Sequence, residues 1–310
     1  MGRPPSKVKL NAFLLAVAGL LLFASCGRSG EKSGASGDRR SFTDGLGRAV
    51  SIASNPQRIV SLAPNLTEIL FALGLENRVA GVTNYCDFPE AAKAKEKVGD
   101  TLRPNLEKII SLKPDLVVIS TASQLENLTR RLDQLAIPVY VTNPRSVREV
   151  AASIRSLGEV TGTSERASVL AGEMESRIAA VERRVNELPK PRVLYVLQIG
   201  PLITAGRNTF INDLINIAGG KSISGEETAD YPQFSRETVV ARAPEVIVAP
   251  SNHGVELVKE SDLRRDFSTT PAIRSNRIVW VTPDLVDRPG PRIVDGLEQL
   301  AKGLHPQLSP

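Results

Sequence analysis

Histidine, cysteine and aromatic side chains are scarce in this chain, and their scarcity excludes a good deal of chemistry. Among 310 residues there are two His, two Cys and one Trp, and aromatics make up 4%. Two His without Cys/His spacing, and with no clustered acids, leave no zinc or manganese cage. There is no nucleophile elbow and no phosphate-cradling Gly loop. Gly45-Leu-Gly47 is half of a dinucleotide fingerprint in the wrong context. Of the two His, His305 beside Pro306 reads as a solvated tail. His253, in a Ser-Asn-His-Gly turn, reads as a loop residue, with a ligand contact as the other reading. An enzyme needs convergent acid–base or nucleophilic groups, and none is visible.

An excess of one charge is also missing. The formal net charge is +5, but Arg3, Lys7 and Lys9 at the extreme N-terminus carry three of those charges, and the remainder is nearly balanced. Nothing there points to nucleic acid. The apolar run Ala12 to Phe23 is too short to span a bilayer. A basic start followed by such a run is a targeting signal. It ends in Leu22-Phe-Ala-Ser-Cys26, which resembles the bacterial lipoprotein cleavage box. Residues 1–26 are therefore expected to be a signal peptide with Cys26 as the lipid-attachment residue. Residues 27–41, rich in Gly, Ser and charge, read as a flexible tether with a random-coil reach of about 20 Å. With Cys26 lipidated, Cys86 has no disulfide partner and reads as a buried, inert thiol.

What the sequence does have is one long amphipathic helix, from Ser164 to Leu188. Ala167, Leu170, Ala171, Met174, Ile178, Val181, Val185 and Leu188 fall on one face, and Glu and Arg fill the rest. Thr163 and Ser164 offer an N-cap, and Pro189 and Pro191 stop it. At 1.5 Å per residue the helix is roughly 37 Å long.

The chain on either side of that helix looks alike. Asn105-Leu-Glu-Lys-Ile-Ile-Ser-Leu-Lys-Pro-Asp-Leu-Val-Val-Ile119 precedes it, and Ser235-Arg-Glu-Thr-Val-Val-Ala-Arg-Ala-Pro-Glu-Val-Ile-Val-Ala249 follows it. Each has a cap, a Glu two positions on, a short helix, a Pro, an acid and an apolar strand. Ile137 to Asn143 and Arg277 to Pro283 form a second pair, each ahead of a helix pattern. Arg58 to Gly74 and Arg192 to Gly220 form a looser third. Asn65-Leu-Thr-Glu68 reads as a capping box. Phe42 to Ile52 reads as a small hairpin. Alternating strands and helices imply parallel sheets covered on both faces. The expected fold is α/β, two Rossmann-like lobes joined by a single long α-helix. Its parts are an N-terminal lobe over 42–162, a linker helix over 163–189 and a C-terminal lobe over 190–310, a length that supports two sizeable cores.

In open α/β sheets, ligands sit beyond the carboxyl ends of the strands. Those ends carry residues 83–89 and 121–124 in the first lobe, and 200–207, 231–234 and 283–291 in the second. Tyr85, Tyr231 and Phe234 could stack on a large planar ligand. Arg288 and Arg292 could meet its polar groups. The plainer reading of the aromatics is packing between lobes. For Asp284, Asp287, Arg288 and Arg292 it is local ion pairing at a helix start.

These segments carry a resemblance. Arg58-Ile-Val-Ser-Leu-Ala-Pro-Asn-Leu-Thr-Glu68, Pro104-Asn-Leu-Glu-Lys-Ile109, Lys113-Pro-Asp-Leu-Val117 and the Ala218-Gly-Gly220 helix end are similar to those of the helical-backbone class of ABC-transporter binding proteins. That class handles vitamin B12, iron–siderophores and haem. Val82-Thr-Asn-Tyr-Cys-Asp-Phe-Pro89, Tyr231-Pro-Gln-Phe-Ser-Arg-Glu237 and Pro283 to Ile293 are most similar to its B12-binding branch.

The resemblance implies a lipid-anchored extracytoplasmic monomer, on the periplasmic or outer face of the membrane. It would deliver cobalamin or a related corrinoid to a permease and its ATPase, with no catalysis and no resident cofactor or metal. It implies ligand contacts at Tyr85 in the first lobe and, in the facing loop of the second, at Asp284, Leu285, Val286, Asp287 and Arg288; Tyr231 is a further candidate contact. Thr101 stands where that branch carries Trp, and Leu285 and Val286 stand at aromatic positions; aliphatics can still cover a corrin ring. Glu107 and Glu237, one per lobe, would dock onto Arg residues of the transporter. The rivals are an iron–siderophore binder, a haem binder with Tyr85, Tyr231 or His253 as axial ligand, a tetrapyrrole metal chelatase-like enzyme, and a purely structural lipoprotein.

Overall fold

The computed structural model describes residues 1–2, 38–120, 126–251 and 258–308. The signal segment, Cys26 and most of the tether lie outside the described residues, as do 121–125 and His253. Residues 38–310 form one compact unit.

That unit opens with the hairpin of β1 (Arg39–Thr43) and β2 (Ala49–Ala53). Buried Asp44 closes its turn. It accepts from the backbone N–H groups of Leu46 and Arg48 at 3.0 and 2.9 Å, and from the Arg48 guanidinium at 2.7 and 2.9 Å. Gly45 donates to the Val141 carbonyl at 2.6 Å, and a Cβ on it would lie 2.6 Å from the Asn143 nitrogen, so only glycine fits there.

The first lobe follows as β3 (Ile59–Ser61), α1 (Pro64–Ala72), β4 (Val79–Val82), β5 (Glu96–Lys97), α2 (Leu106–Ser111), β6 (Leu116–Ser120), α3 (Glu126–Gln134), β7 (Val139–Thr142) and α4 (Val147–Thr161). Its sheet is parallel, in the order β5-β4-β3-β6-β7. The linker α5 runs from Ser164 to Val185. The second lobe comprises β8 (Arg192–Tyr195), β9 (Leu202–Ile203), α6 (Phe210–Ile217), β10 (Lys221–Ser222), β11 (Gln233–Phe234), α7 (Arg236–Arg242), β12 (Val246–Pro250), α8 (Glu260–Asp266), α9 (Pro271–Arg274), β13 (Ile278–Val281), α10 (Pro283–Val286) and α11 (Ile293–Leu304). Its sheet is also parallel, in the order β10-β8-β12-β13. The fold is two α/β lobes hung on one long helix.

The sequence repeat becomes a repeat of hydrogen bonds. Asn105 caps α2 by accepting from Lys108 N–H, and Ser235 caps α7 by accepting from Thr238 N–H. Lys113 and Ala243 then turn the chain in the left-handed region, at φ 47 and 45°. The following acid of each unit fastens the start of the neighbouring strand. Asp115 accepts from the N–H groups of Gln57 and Arg58 at 2.7 and 2.9 Å, and Glu245 from that of Arg192 at 2.8 Å. Arg58 and Arg192 donate in return to the carbonyls of Leu112 and Ala243, at 2.9 and 3.0 Å.

The linker buries Ala167, Ala171, Met174, Ile178, Val181 and Val185, all on the expected face. An aliphatic the size of Ile178, fully buried, stabilises by roughly 1.5–3 kcal/mol. The helix ends at Val185, ahead of Leu188, and Leu188 still packs on the core. Thr163 takes the N-cap position, but its hydroxyl pairs with that of Thr161 at 2.9 Å and makes no capping bond. Ion pairs brace the helix on both sides. Arg148 and Arg155 of α4 hold Glu182 and Glu175 at 2.7 and 2.5 Å, and Arg177 holds Asp295 and Glu298 of α11 at 2.6 and 2.9 Å.

Three expectations are corrected. The main core is shared rather than divided between the lobes: one apolar cluster runs from Ile52, Leu66 and Ile154 through Met174 and Ile178 to Leu214 and Leu300. The outer face of each sheet has a smaller cluster of its own. His305 is not a solvated tail. It is 2% exposed, its Nε2 has no partner, and burial lowers its pKa. It lies over Gly219, where a Cβ would stand 2.6 Å from Nε2. Asn65 to Glu68 is not a capping box: α1 starts at Pro64, after an Ala63 that makes no side-chain cap. The pattern was locally correct, but both polar side chains are used elsewhere.

Candidate functional site

Beyond the carboxyl ends of the two sheets, side chains join the lobes on two flanks. On one flank, residues 284–292 of the second lobe reach the first. Glu68, 2% exposed on α1, takes the Arg292 guanidinium in a fork, with Nε–Oε2 2.8 Å and Nη2–Oε1 2.7 Å. Arg292 also lies 3.8 Å from the centroid of the Phe88 ring, a cation–π contact. Asn65 Nδ2 donates to the Pro289 carbonyl at 3.2 Å, and a Cβ on Gly290 would meet the Asn65 backbone at 3.4 Å. On the other flank, Arg145 pairs with Asp230 and donates to the Asn208 carbonyl at 3.3 Å. Beside it, the carboxylate of Asp213 on α6 accepts from the Val147 N–H at the start of α4, at 2.8 Å.

Arg288 is surrounded by acids. Its Nη1 lies 2.7 Å from Asp87 and 3.5 Å from Glu68, and its Nη2 lies 2.9 Å from Asp284. Burial works to raise the Asp87 pKa, but the hydrogen bond and charge of Arg288 win and hold it below the usual range. Asp287 behaves in the opposite way. Tyr195, fully buried at the end of β8, donates its hydroxyl to Asp287 Oδ1 at 2.7 Å. Loss of solvent around Asp287 outweighs that bond and, with nearby Asp284 adding to it, pushes its pKa up to about 6.

The aromatics divide into two groups. Tyr85 and Tyr231 are 59% and 49% exposed. Partial burial, then the carboxylates of Asp230 and Asp287, raise the Tyr231 phenol, while Arg145 opposes them. Phe234 departs from expectation. It is buried in the outer core of the second lobe under the Arg242 guanidinium, 4.6 Å from its centroid, so it offers no face to a ligand. Val286 is fully buried in the shared core, whereas Leu285 is only partly covered. Thr101 is half-buried in the bend ahead of α2. Cys86 is buried, with Sγ 3.1 Å from the Thr67 hydroxyl and 3.2 Å from that of Thr83.

Sequence reasoning missed Asn65, Glu68, Asp87, Arg145, Asp213 and Asp230 as groups joining the lobes. One signal was available for Glu68: a carboxylate between Leu66 and Ile69 on an apolar helix face needs a buried partner. Glu107 and Glu237 are exposed in the first turns of α2 and α7. Among the described residues no group of three His, Cys, Asp or Glu could hold a metal ion, and no helix is long and apolar enough to cross a membrane.

The family described as periplasmic binding protein matches residues 59–285. The chain belongs to that family. An uncharacterized ABC transporter substrate-binding lipoprotein of Bacillus subtilis is 32% identical over 308 residues, covering 95% of this chain and 96% of the relative. Among solved structures, the periplasmic vitamin B12 binding protein BtuF of Vibrio cholerae is similar at a TM-score of 0.74 and 28% identity, over 82% of this chain and 99% of that one. The periplasmic heme-binding protein RhuT from Roseiflexus is similar at 0.73 and 29%, over 81% and 98%. A periplasmic binding protein works by holding a small molecule between its lobes. The two flanks of Glu68–Arg292 and Arg145–Asp230 mark where those lobes meet in this binding protein.

Proposed function

We propose that this chain is the substrate-binding subunit of an ABC importer and that its cargo is cobalamin or a related corrinoid, captured in the cleft and handed to a permease driven by its ATPase. The observation that carries the ligand choice is the neutralised Arg288, ringed by Asp87, Asp284 and Glu68. An anionic siderophore needs free cations, and here Arg145, Arg288 and Arg292 are already spent on carboxylates. A corrinoid carries carboxamide side chains, whose N–H groups suit carboxylate acceptors. In this reading Asp284, Asp287 and Thr101 meet amides, while Tyr85, Tyr231 and Leu285 cover the ring, with Val286 backing Leu285 from the core. Arg288 orients the two acids. The similarity to the Vibrio cholerae vitamin B12 binding protein supports the same choice.

The protein does no chemistry and works as a monomer on the outer face of the cytoplasmic membrane or in the periplasm, held by lipid on Cys26. Glu107 and Glu237 dock it to the permease. The lobes are residues 42–162 and 190–310, with 163–189 as the link. A haem cargo is the second reading, favoured by the exposed Tyr85 phenol as an axial ligand and by the likeness to the Roseiflexus protein. Calorimetric titration with cyanocobalamin, haemin and a ferric siderophore in parallel tests the choice. Tight one-to-one binding of cyanocobalamin alone, weakened at least tenfold by Tyr85→Ala, is the expected result. Tight haemin binding with no heat from cyanocobalamin would move the assignment to haem.

A further inference from the structure

The internal repeat extends to the surface. Along α2 and α7 the same features recur at one constant offset: a capping side chain at Asn105 and Ser235, an exposed acid at Glu107 and Glu237, and a left-handed residue at Lys113 and Ala243. Between acid and turn each helix carries a pair of aliphatics, Ile109-Ile110 and Val239-Val240. The first of each pair is fully buried and fastens the helix to its sheet. The second is not needed for that: Ile110 and Val240 are each 37% exposed. One exposed aliphatic is ordinary on a protein surface. The same exposure at the same repeat position in both lobes is a different observation.

Ile110 and Val240 each follow their Glu by three positions, which places acid and aliphatic side by side on one helix face, Cβ atoms about 5–6 Å apart. Both helices lead into their strands from the carboxyl ends of the parallel sheets, so their first turns lie on the side where the cleft opens. Glu107 and Glu237 thus stand at the carboxyl-end side of each lobe, with Ile110 and Val240 about one turn further along the same helix faces. Docking surfaces have this composition: an apolar centre with a charged rim.

We propose that Ile110 and Val240 are apolar anchors of the surface that docks on the transporter. Each seats in an apolar pocket of the permease beside the cationic group that takes Glu107 or Glu237. This rests on the importer reading and adds a residue class to its docking surface. The partner chemistry follows from the patch: an apolar recess with a guanidinium or ammonium at its rim, presented twice.

The test is capture of the full chain by its cognate permease–ATPase complex in lipid nanodiscs, alongside cyanocobalamin titration. Ile110→Ser and Val240→Ser are each expected to weaken capture about tenfold, and together about a hundredfold, because the sites are far enough apart for their effects to add. Cyanocobalamin affinity stays within twofold. The conservative exchange Ile110→Val with Val240→Ile is expected to restore capture, which separates a lost anchor from a lost fold. Capture of the double Ser variant within twofold of the parent overturns the proposal. If Glu107→Ala with Glu237→Ala abolishes capture while the Ser variants do not, the anchors fail and the docking reading stands. If the parent binds cyanocobalamin but is not captured at all, both fail. If sedimentation shows a dimer of the parent that Ile110→Ser dissolves, the patch belongs to a second copy of this chain, and the proposal is likewise overturned.

Discussion

Glu68 and Arg292, one from each lobe, form a two-point fork with a carboxylate that is 2% exposed. The bond ties the first turns of α1 to the N-terminal end of α11. Its energetic meaning is asymmetric. Two desolvated charges together cost solvation that their attraction offsets, but either one alone loses its close partner, Glu68 then keeping only Arg288 at 3.5 Å and Arg292 only the Phe88 ring.

Glu68→Ala is therefore expected to destabilise by roughly 3 kcal/mol in urea unfolding, and Arg292→Ala by a similar amount. The double change costs much less than the two added together, since neither orphan remains. Strict additivity would mean that the pair is screened by solvent and contributes nothing as a pair.

Asp287 predicts a pH dependence. Its folded pKa, about 6, lies above the unfolded value. Its contribution to stability is complete below about 4 and is lost as pH rises through about 6. Asp287→Asn, which keeps an acceptor for Tyr195, is expected to match the parent at pH 4 and exceed its stability by about 1–3 kcal/mol at pH 7.5. Urea unfolding at the two pH values checks this. An Asn variant weaker than the parent at pH 7.5 would mean the charged carboxylate is stabilised where it sits.

Asp87→Asn with Asp284→Asn should change what the cleft accepts. With Glu68 engaged by Arg292, Arg288 then has a guanidinium to offer. Affinity for an anionic ferric siderophore is expected to rise at least tenfold, and affinity for cyanocobalamin to fall. Parallel titration of parent and variant reads both. No gain in the siderophore titration would show that the acids do not govern selection.

Glu107→Ala with Glu237→Ala is expected to abolish uptake of labelled cyanocobalamin by cells while the isolated protein keeps its affinity within twofold. A matching loss of affinity would remove the two residues from docking and place them with the ligand.

The parts legible in the sequence were those set by local period. Strand–helix alternation, the linker face and the caps at Asn105 and Ser235 depend on neighbours a turn or a strand away. The parts that were not legible depend on distant partners. Asn65 and Glu68 have capping-box spacing, and nothing within four residues reveals that Pro289 and Arg292 claim them. His305 sits next to a proline near the chain end, where exposure is the rule; only the left-handed Gly219 beneath it makes room for burial. Phe234 looked like a ligand platform because its loop faces the cleft, yet β11 turns its ring inward toward Val239 and Leu202. Separate cores were expected because each lobe carries enough apolar residues for one. That α4, α5, α6 and α11 meet in a single cluster is a matter of packing angle, which periodicity does not encode.

The shared cluster also bears on how the protein comes apart. Its last apolar contributors, Leu297, Leu300 and Leu304, belong to the final helix of the chain. With Leu214 of α6 they cover the apolar stripe of α5 from the second-lobe side, while α4 covers it from the first. Neither half can therefore loosen alone: stripping α11 from α5 bares apolar surface on which both halves depend, and the two are expected to unfold in a single transition.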